Sequence, residues 1–231
     1  MTPTPYIYAL ICTRSNKISE TTDRLVTYLN KVRADVRLLT DKKSIFDAYY
    51  SEVDNLIAEP DDIVIMCHDD IEILNDPKEF VKILRKSLSD PKVGIVGAAG
   101  TTHLTKSGVW WERDIWQQKG HRGTVFHGKD KWEMETTYYG PPGNVVVCDG
   151  LFLAARISTL WEIGLTKPKT YKGEWDFYDL TYCMRAYEKG YINQVGPILL
   201  RHESSGDLAG RDSWHENRKK FLSLFRTPVK C

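Results

Sequence analysis

The feature that most constrains this chain is a series of short apolar runs, each breaking off into a polar cluster and separated by stretches of helical spacing. Residues 6–12 are continuously apolar, rich in strand formers and bounded by Pro5 and Thr13-Arg14-Ser15, which suits a strand buried on both faces. Apolar positions Leu25, Val26, Leu29 and Val32 then recur at helical spacing. A short strand is expected at 36–39. Ser44 is placed to cap a helix to about residue 58, with Asp47 in its first turn. Residues 63–67 form a second buried strand, Pro77 opens a helix to 88, and 93–97 form the next strand. This β-α-β-α-β-α-β order predicts an α/β fold, doubly wound, with a mostly parallel sheet flanked by helices.

The 231 residues carry 32 Lys+Arg against 31 Asp+Glu and are 42% hydrophobic, so one globular domain over 1–231 is expected. A net charge of +1 leaves no basic footprint for non-specific nucleic-acid binding. The five cysteines Cys12, Cys67, Cys148, Cys183 and Cys231 are widely spaced without a C-x-x-C pair, as free thiols in a reducing compartment would be. No basic leader precedes the first apolar run, and that run is too short to span a membrane. A cytoplasmic protein without an integral membrane segment is expected.

Residues 98–143 break the rhythm and end at Pro141-Pro142-Gly143. A connection this long in a compact domain usually serves function. Order is expected to return as a strand at 145–148, which ends at Asp149-Gly150. Helices follow at 158–163 and at 178–189, the latter closed by Gly190. A strand at 191–200 leads into Arg201-His202-Glu203, and a terminal helix covers 212–225.

Ligands of open α/β sheets bind outside the carboxyl ends of the strands. There stand Thr13, Arg14, Asp41, His68-Asp69-Asp70, Asp149 and His202. The acidic pair after the strand 63–67 can cap a turn or hold a hard divalent cation through oxygen. Glu174-Trp-Asp-Phe-Tyr-Asp179 leads into a helix, so Asp176 or Asp179 can be an N-cap or a carboxylate tuned by an aromatic wall. His202 is a satisfied histidine unless it meets Asp70. His121 and His127 are expected to be surface or loop residues. Trp110, Trp111, Trp116 and Trp132 form either a small core beneath the long loop or a stacking surface for a planar or amphipathic ligand.

The order of these pieces resembles the glycosyltransferases of the GT-A fold, in particular small family-2-like enzymes without a membrane domain. The resemblance rests on residues 44–49, 65–71 as a variant D-x-D motif, 93–100, 148–156, 177–186 and 201–206. It implies a nucleotide-sugar half over 1–100 and an acceptor-binding and catalytic half over 101–231. It further implies a nucleotide-diphosphate sugar donor, Mn²⁺ or Mg²⁺, a glycan or glycoconjugate acceptor, and inversion of the transferred sugar.

By the same resemblance Asp70 and His202 hold the metal, while Thr13, Arg14, Asp41, His68, Asp69, Asp149 and Gly150 meet the donor. Asp179 is the general base with Asp176 in reserve. His68 replaces the usual first acidic residue, and Thr181 replaces a usual second Asp. These two departures keep open a degenerate domain that binds nucleotide-sugar or glycan without turnover. A sugar nucleotidyltransferase is the enzymatic alternative, although no Gly-rich loop follows the first strand.

Overall fold

The computed structural model describes residues 4–13, 18–129, 134–204 and 212–231. Arg14 and Trp132 lie outside these residues. The strands are β1 (Ile7–Cys12), β2 (Asp35–Leu39), β3 (Ile63–His68), β4 (Ile71–Ile73), β5 (Val93–Gly97), β6 (Ala99–Thr101), β7 (His103–Leu104), β8 (His121–His127), β9 (Glu135–Gly140), β10 (Gly143–Val145), β11 (Val147–Cys148), β12 (Phe152–Arg156), β13 (Ile192–Val195), β14 (Leu200–His202) and β15 (Val229–Lys230). The helices are α1 (Glu20–Lys31), α2 (Ile45–Asp54), α3 (Pro77–Leu88), α4 (Arg113–Gln117), α5 (Ile157–Ile163), α6 (Tyr178–Glu188) and α7 (Asp212–Leu224).

The main sheet runs β10-β13-β5-β12-β3-β1-β2. β1 pairs in parallel with β2 and β3, and β5 pairs in parallel with β13. The mostly parallel α/β sheet is therefore present. Its departures are β12, which enters antiparallel between β3 and β5, and the edge strand β10, which is antiparallel to β13. The expected cap at Ser44 holds, since its side chain accepts from Asp47 N; Ser19 likewise accepts from Thr22 N, and Asp76 caps α3 ahead of Pro77. Gly190 follows α6 at φ +87°, where a side chain would be strained.

Two expected strands are each divided between sheets. Residues 145–148 end β10, which pairs with β13, and then form β11, which pairs with β6 in a second sheet. Residues 191–200 likewise give β13 in the main sheet and β14 in the second. Pro197 lies between them and cannot donate to a ladder. The long segment after residue 97 is not a loop. It contributes β6, β8 and β9 to the second sheet, ordered β11-β6-β8-β14-β4 with β9 on β8. No helix among the described residues is long and apolar enough to cross a membrane.

Phe46 on α2 meets Tyr171, Tyr178 and Tyr182 edge-on, so α6 is seated by an aromatic seam. The turn between α3 and β5 is closed by Arg156, buried at the end of β12. Its guanidinium donates to the carbonyls of Leu88, Asp90, Pro91 and Val93. Arg156→Met would strand those acceptors. It is expected to lower stability by about 3 kcal/mol or more, measured by urea unfolding; a change below about 1 kcal/mol would show that water replaces the guanidinium.

Candidate active site

β3 carries the chain to the carboxyl edge of the main sheet and ends at His68. The Asp69-Asp70 turn then feeds β4, which pairs with β14, and β14 pairs with β8. This ladder sets His202 opposite Ile71 on one side and His127 on the other. Asp70 Oδ1 lies 3.4 Å from His202 Nε2 and 3.8 Å from His68 Nδ1. The same oxygen is buried with no hydrogen-bond partner among the described residues.

Burial acts to raise the Asp70 pKa, but the neighbouring His202 and His68 outweigh it and hold the carboxyl well below the usual range. Burial also works against a charged His202, and Asp70 again wins, raising the imidazole. Ligand atoms of His68, Asp70 and His202 all lie within 4.8 Å of one another. An unsatisfied carboxylate oxygen facing two imidazoles fits a divalent cation better than it fits a closed hydrogen-bond network.

The second group of carboxylates forms where β11 gives way to β12. Asp149 N donates to Ala99 O, and Asp149 Oδ1 accepts from Leu151 N. Gly150 N donates to Asp179 Oδ2 at 2.9 Å, while Tyr178 Oη donates to Gly150 O at 2.7 Å. A Cβ at position 150 would sit 2.3 Å from that phenol oxygen, so only glycine fits. α6 begins after Phe177, which adopts φ +65° and supplies no side-chain cap. Neither acidic residue is therefore the N-cap. Asp176 instead accepts from Ser213 Oγ at 2.8 Å, tying this turn to α7. The half-buried Asp179 is pushed up to about 7, first by desolvation and then by the charge of Asp149.

Both groups line one cavity of 640 Å³ at the carboxyl edge. It brings together His68, Asp69, Asp70, Asp149, Gly150, Asp176, Asp179 and His202. Thr13 is buried at the end of β1 and Asp41 is exposed after β2. Neither is among the described residues of the wall.

The rest of the lining is largely aromatic and includes Trp110, Trp111, Trp116, Trp175 and Trp214. The two expectations for the tryptophan group divide by residue. Trp110 is core at 3% exposure, whereas Trp111 and Trp116 keep 40% and 38%. Trp116 stacks 4.5 Å from the His121 ring and 5.2 Å from Tyr139.

Three residues escaped the sequence pattern. His121 is fully buried, with Nε2 2.7 Å from Trp110 O. His127 lines the cavity 5.8 Å ring to ring from His202, and burial followed by His202 lowers its pKa. A parallel pairing 75 residues apart in sequence leaves no local signal. Tyr178 had one, its place directly before Asp179.

The fold and cavity define a GT-A-type glycosyltransferase architecture. A model of the glycosyltransferase-like family matches residues 10–224, and the chain belongs to that family of sugar-transferring enzymes. The streptomycin biosynthesis protein StrF of Streptomyces griseus is 28% identical over 209 residues, covering 85% of this chain and 67% of that protein. Two solved structures share the fold. GalNAc-T7 with UDP, GalNAc and Mn²⁺ superposes at TM-score 0.58 and 11% identity, over 95% of this chain and 48% of its own. A197 from STIV matches at TM-score 0.52 and 13% identity, covering 87% and 86%.

A carboxyl raised toward 7 in the folded protein, against 3.8 ordinarily, stays protonated where the unfolded chain has already ionised. Its contribution to stability is whole below pH 4 and is lost as pH rises toward 7. Asp179→Asn keeps an acceptor for Gly150 N and removes this penalty. The variant is expected to be more stable than the parent by about 1 to 2 kcal/mol at pH 8, with discount for partial exposure, and equal to it at pH 4. Denaturant unfolding at the two pH values checks this, and equal stability at pH 8 would contradict the raised carboxyl.

Proposed function

We propose that the chain is an inverting, metal-dependent glycosyltransferase that moves a hexosyl or deoxyhexosyl group from a nucleotide-diphosphate sugar to a hydroxyl of a glycan or glycoconjugate. One observation carries this reading: a carboxyl tuned to about 7, Asp179, shares a cavity wall with the His68–Asp70–His202 group. A base must be near the working pH to accept a proton efficiently, and Asp179 meets that requirement. The presence of UDP, GalNAc and Mn²⁺ in the GalNAc-T7 structure supports a nucleotide-sugar donor and a divalent ion of the same kind here.

Asp70 and His202 would hold Mn²⁺ or Mg²⁺. When bound, the ion supplies positive charge that stabilises the departing diphosphate. Asp69, Asp149 and Gly150, which line the cavity, bind the donor, and Thr13 at the end of β1 and Asp41 after β2 receive the nucleotide together with Arg14. Trp111, Trp175 and Trp214 offer apolar faces to the acceptor sugar.

Asp179 takes the proton of the acceptor hydroxyl as that oxygen attacks the anomeric carbon. The bond from that carbon to the diphosphate oxygen breaks, and its electron pair leaves with the diphosphate. Asp176, engaged by Ser213, orients the turn that presents Asp179. The five cysteines are all unbridged, which supports a cytoplasmic setting.

A screen of nucleotide sugars with Mn²⁺ and candidate acceptors tests the proposal through release of nucleoside diphosphate. Asp70→Ala is expected to abolish metal-dependent release, and Asp179→Asn to slow transfer by about 10²–10⁴-fold. Full transfer by Asp179→Asn would remove the assigned base. Pyrophosphate release from a nucleoside triphosphate and a sugar phosphate would instead identify a nucleotidyltransferase.

A further inference from the structure

The hydrogen bonds of Tyr178 determine which nitrogen of His68 carries a proton. The phenol has one hydrogen, and it goes to Gly150 O at 2.7 Å, because a carbonyl can only accept. His68 Nε2 lies 3.0 Å from the same phenol oxygen. That contact is a hydrogen bond only if Nε2–H is the donor. In the neutral ring the lone pair is then on Nδ1, the nitrogen 3.8 Å from Asp70 Oδ1. Two acceptors, His68 Nδ1 and the buried Asp70 Oδ1, thus face each other with no proton between them; that oxygen has no hydrogen-bond partner among the described residues, and His202 Nε2 lies 3.4 Å from it.

Tyr178 has little freedom to do otherwise. Its ring is packed against Phe46, Tyr49 and Tyr182, and Gly150 admits its hydroxyl where any Cβ would collide. We infer that Tyr178 is a positioning residue that turns the Nδ1 lone pair of His68 onto the cation site, making His68 a third ligand beside Asp70 and His202 and biasing the site toward Mn²⁺ over Mg²⁺. This rests on the proposed cation site. Two imidazoles and one carboxylate are a softer set than carboxylate oxygens alone, and imidazole favours transition metals while Mg²⁺ prefers oxygen. The residue behind a ligating histidine sets its tautomer, and removing such a partner typically costs 10–100-fold in metal affinity.

The test is a Mn²⁺ titration of the full chain without donor, followed by the loss of the free-ion paramagnetic resonance signal, with Mg²⁺ as competitor. Pulsed resonance counts the coupled nitrogens. The parent is expected to bind Mn²⁺ at least about tenfold tighter than Mg²⁺, with two histidine nitrogens coupled. Tyr178→Phe keeps the ring and its packing and is expected to weaken Mn²⁺ by about tenfold while changing Mg²⁺ less than about threefold. His68→Asn is expected to lose one of the two nitrogen couplings. Parent-like Mn²⁺ affinity in both variants, or a single coupled nitrogen in the parent, would overturn the inference and leave Asp70 and His202 as the proposed metal ligands. Absence of Mn²⁺ binding by the parent would overturn the cation site itself, and a donor assay would show separately whether sugar transfer survives.

Discussion

The site depends on the two hydrogen bonds by which Gly150 clamps the first turn of α6. Its N–H engages the Asp179 carboxylate and its carbonyl receives the Tyr178 hydroxyl. Through this one residue the entry to β12, the start of α6 and the end of β3 share a fixed geometry, since Tyr178 also reaches His68. Because β12 lies between β3 and β5, the clamp sits over the middle of the main sheet. A side chain at 150 would push the phenol away and separate the two halves of the cavity.

The arrangement accepts local cost where chemistry needs it. Asp179 is placed beside Asp149 in a desolvated pocket, which raises its proton affinity and disfavours the charged form. Phe177 adopts a left-handed conformation to start α6 without a capping side chain. The surrounding structure offsets these terms through the aromatic seam on Phe46 and the tie between Asp176 and α7. Across the cavity, the six-stranded sheet carries His127 and His202 and supports the tryptophan wall. The main sheet supplies the carboxyl edge, and the second sheet closes it.

Much of this was legible in the sequence because buried strands and capped helices leave local marks. The apolar runs at 6–12 and 63–67, the cap at Ser44, the helix start at Pro77 and the polar clusters after each strand all predict what forms. The failures have one cause. Residues 145–148 are apolar throughout, and 191–200 carry only Asn193, Gln194 and the Gly196-Pro197 break among apolar residues, so periodicity cannot say which sheet each half joins. The antiparallel insertion of β12, the pairing of His127 with His202 and the link from His68 to Tyr178 are contacts between distant segments, invisible to any local window. The resemblance to GT-A enzymes supplied the role of Asp179. The cavity brings that residue to the same wall as Asp70, which spacing alone does not.

The central claim is that Asp179 activates an acceptor hydroxyl for direct displacement at the anomeric carbon, and the configuration of the product reports on it without mutation. Proton magnetic resonance of the reaction mixture during early turnover, with an anomerically pure nucleotide-sugar donor, gives that configuration from the anomeric coupling constant. The account requires the opposite anomer from the donor, as a single displacement assisted by one base produces. Retention of the donor's configuration would contradict it.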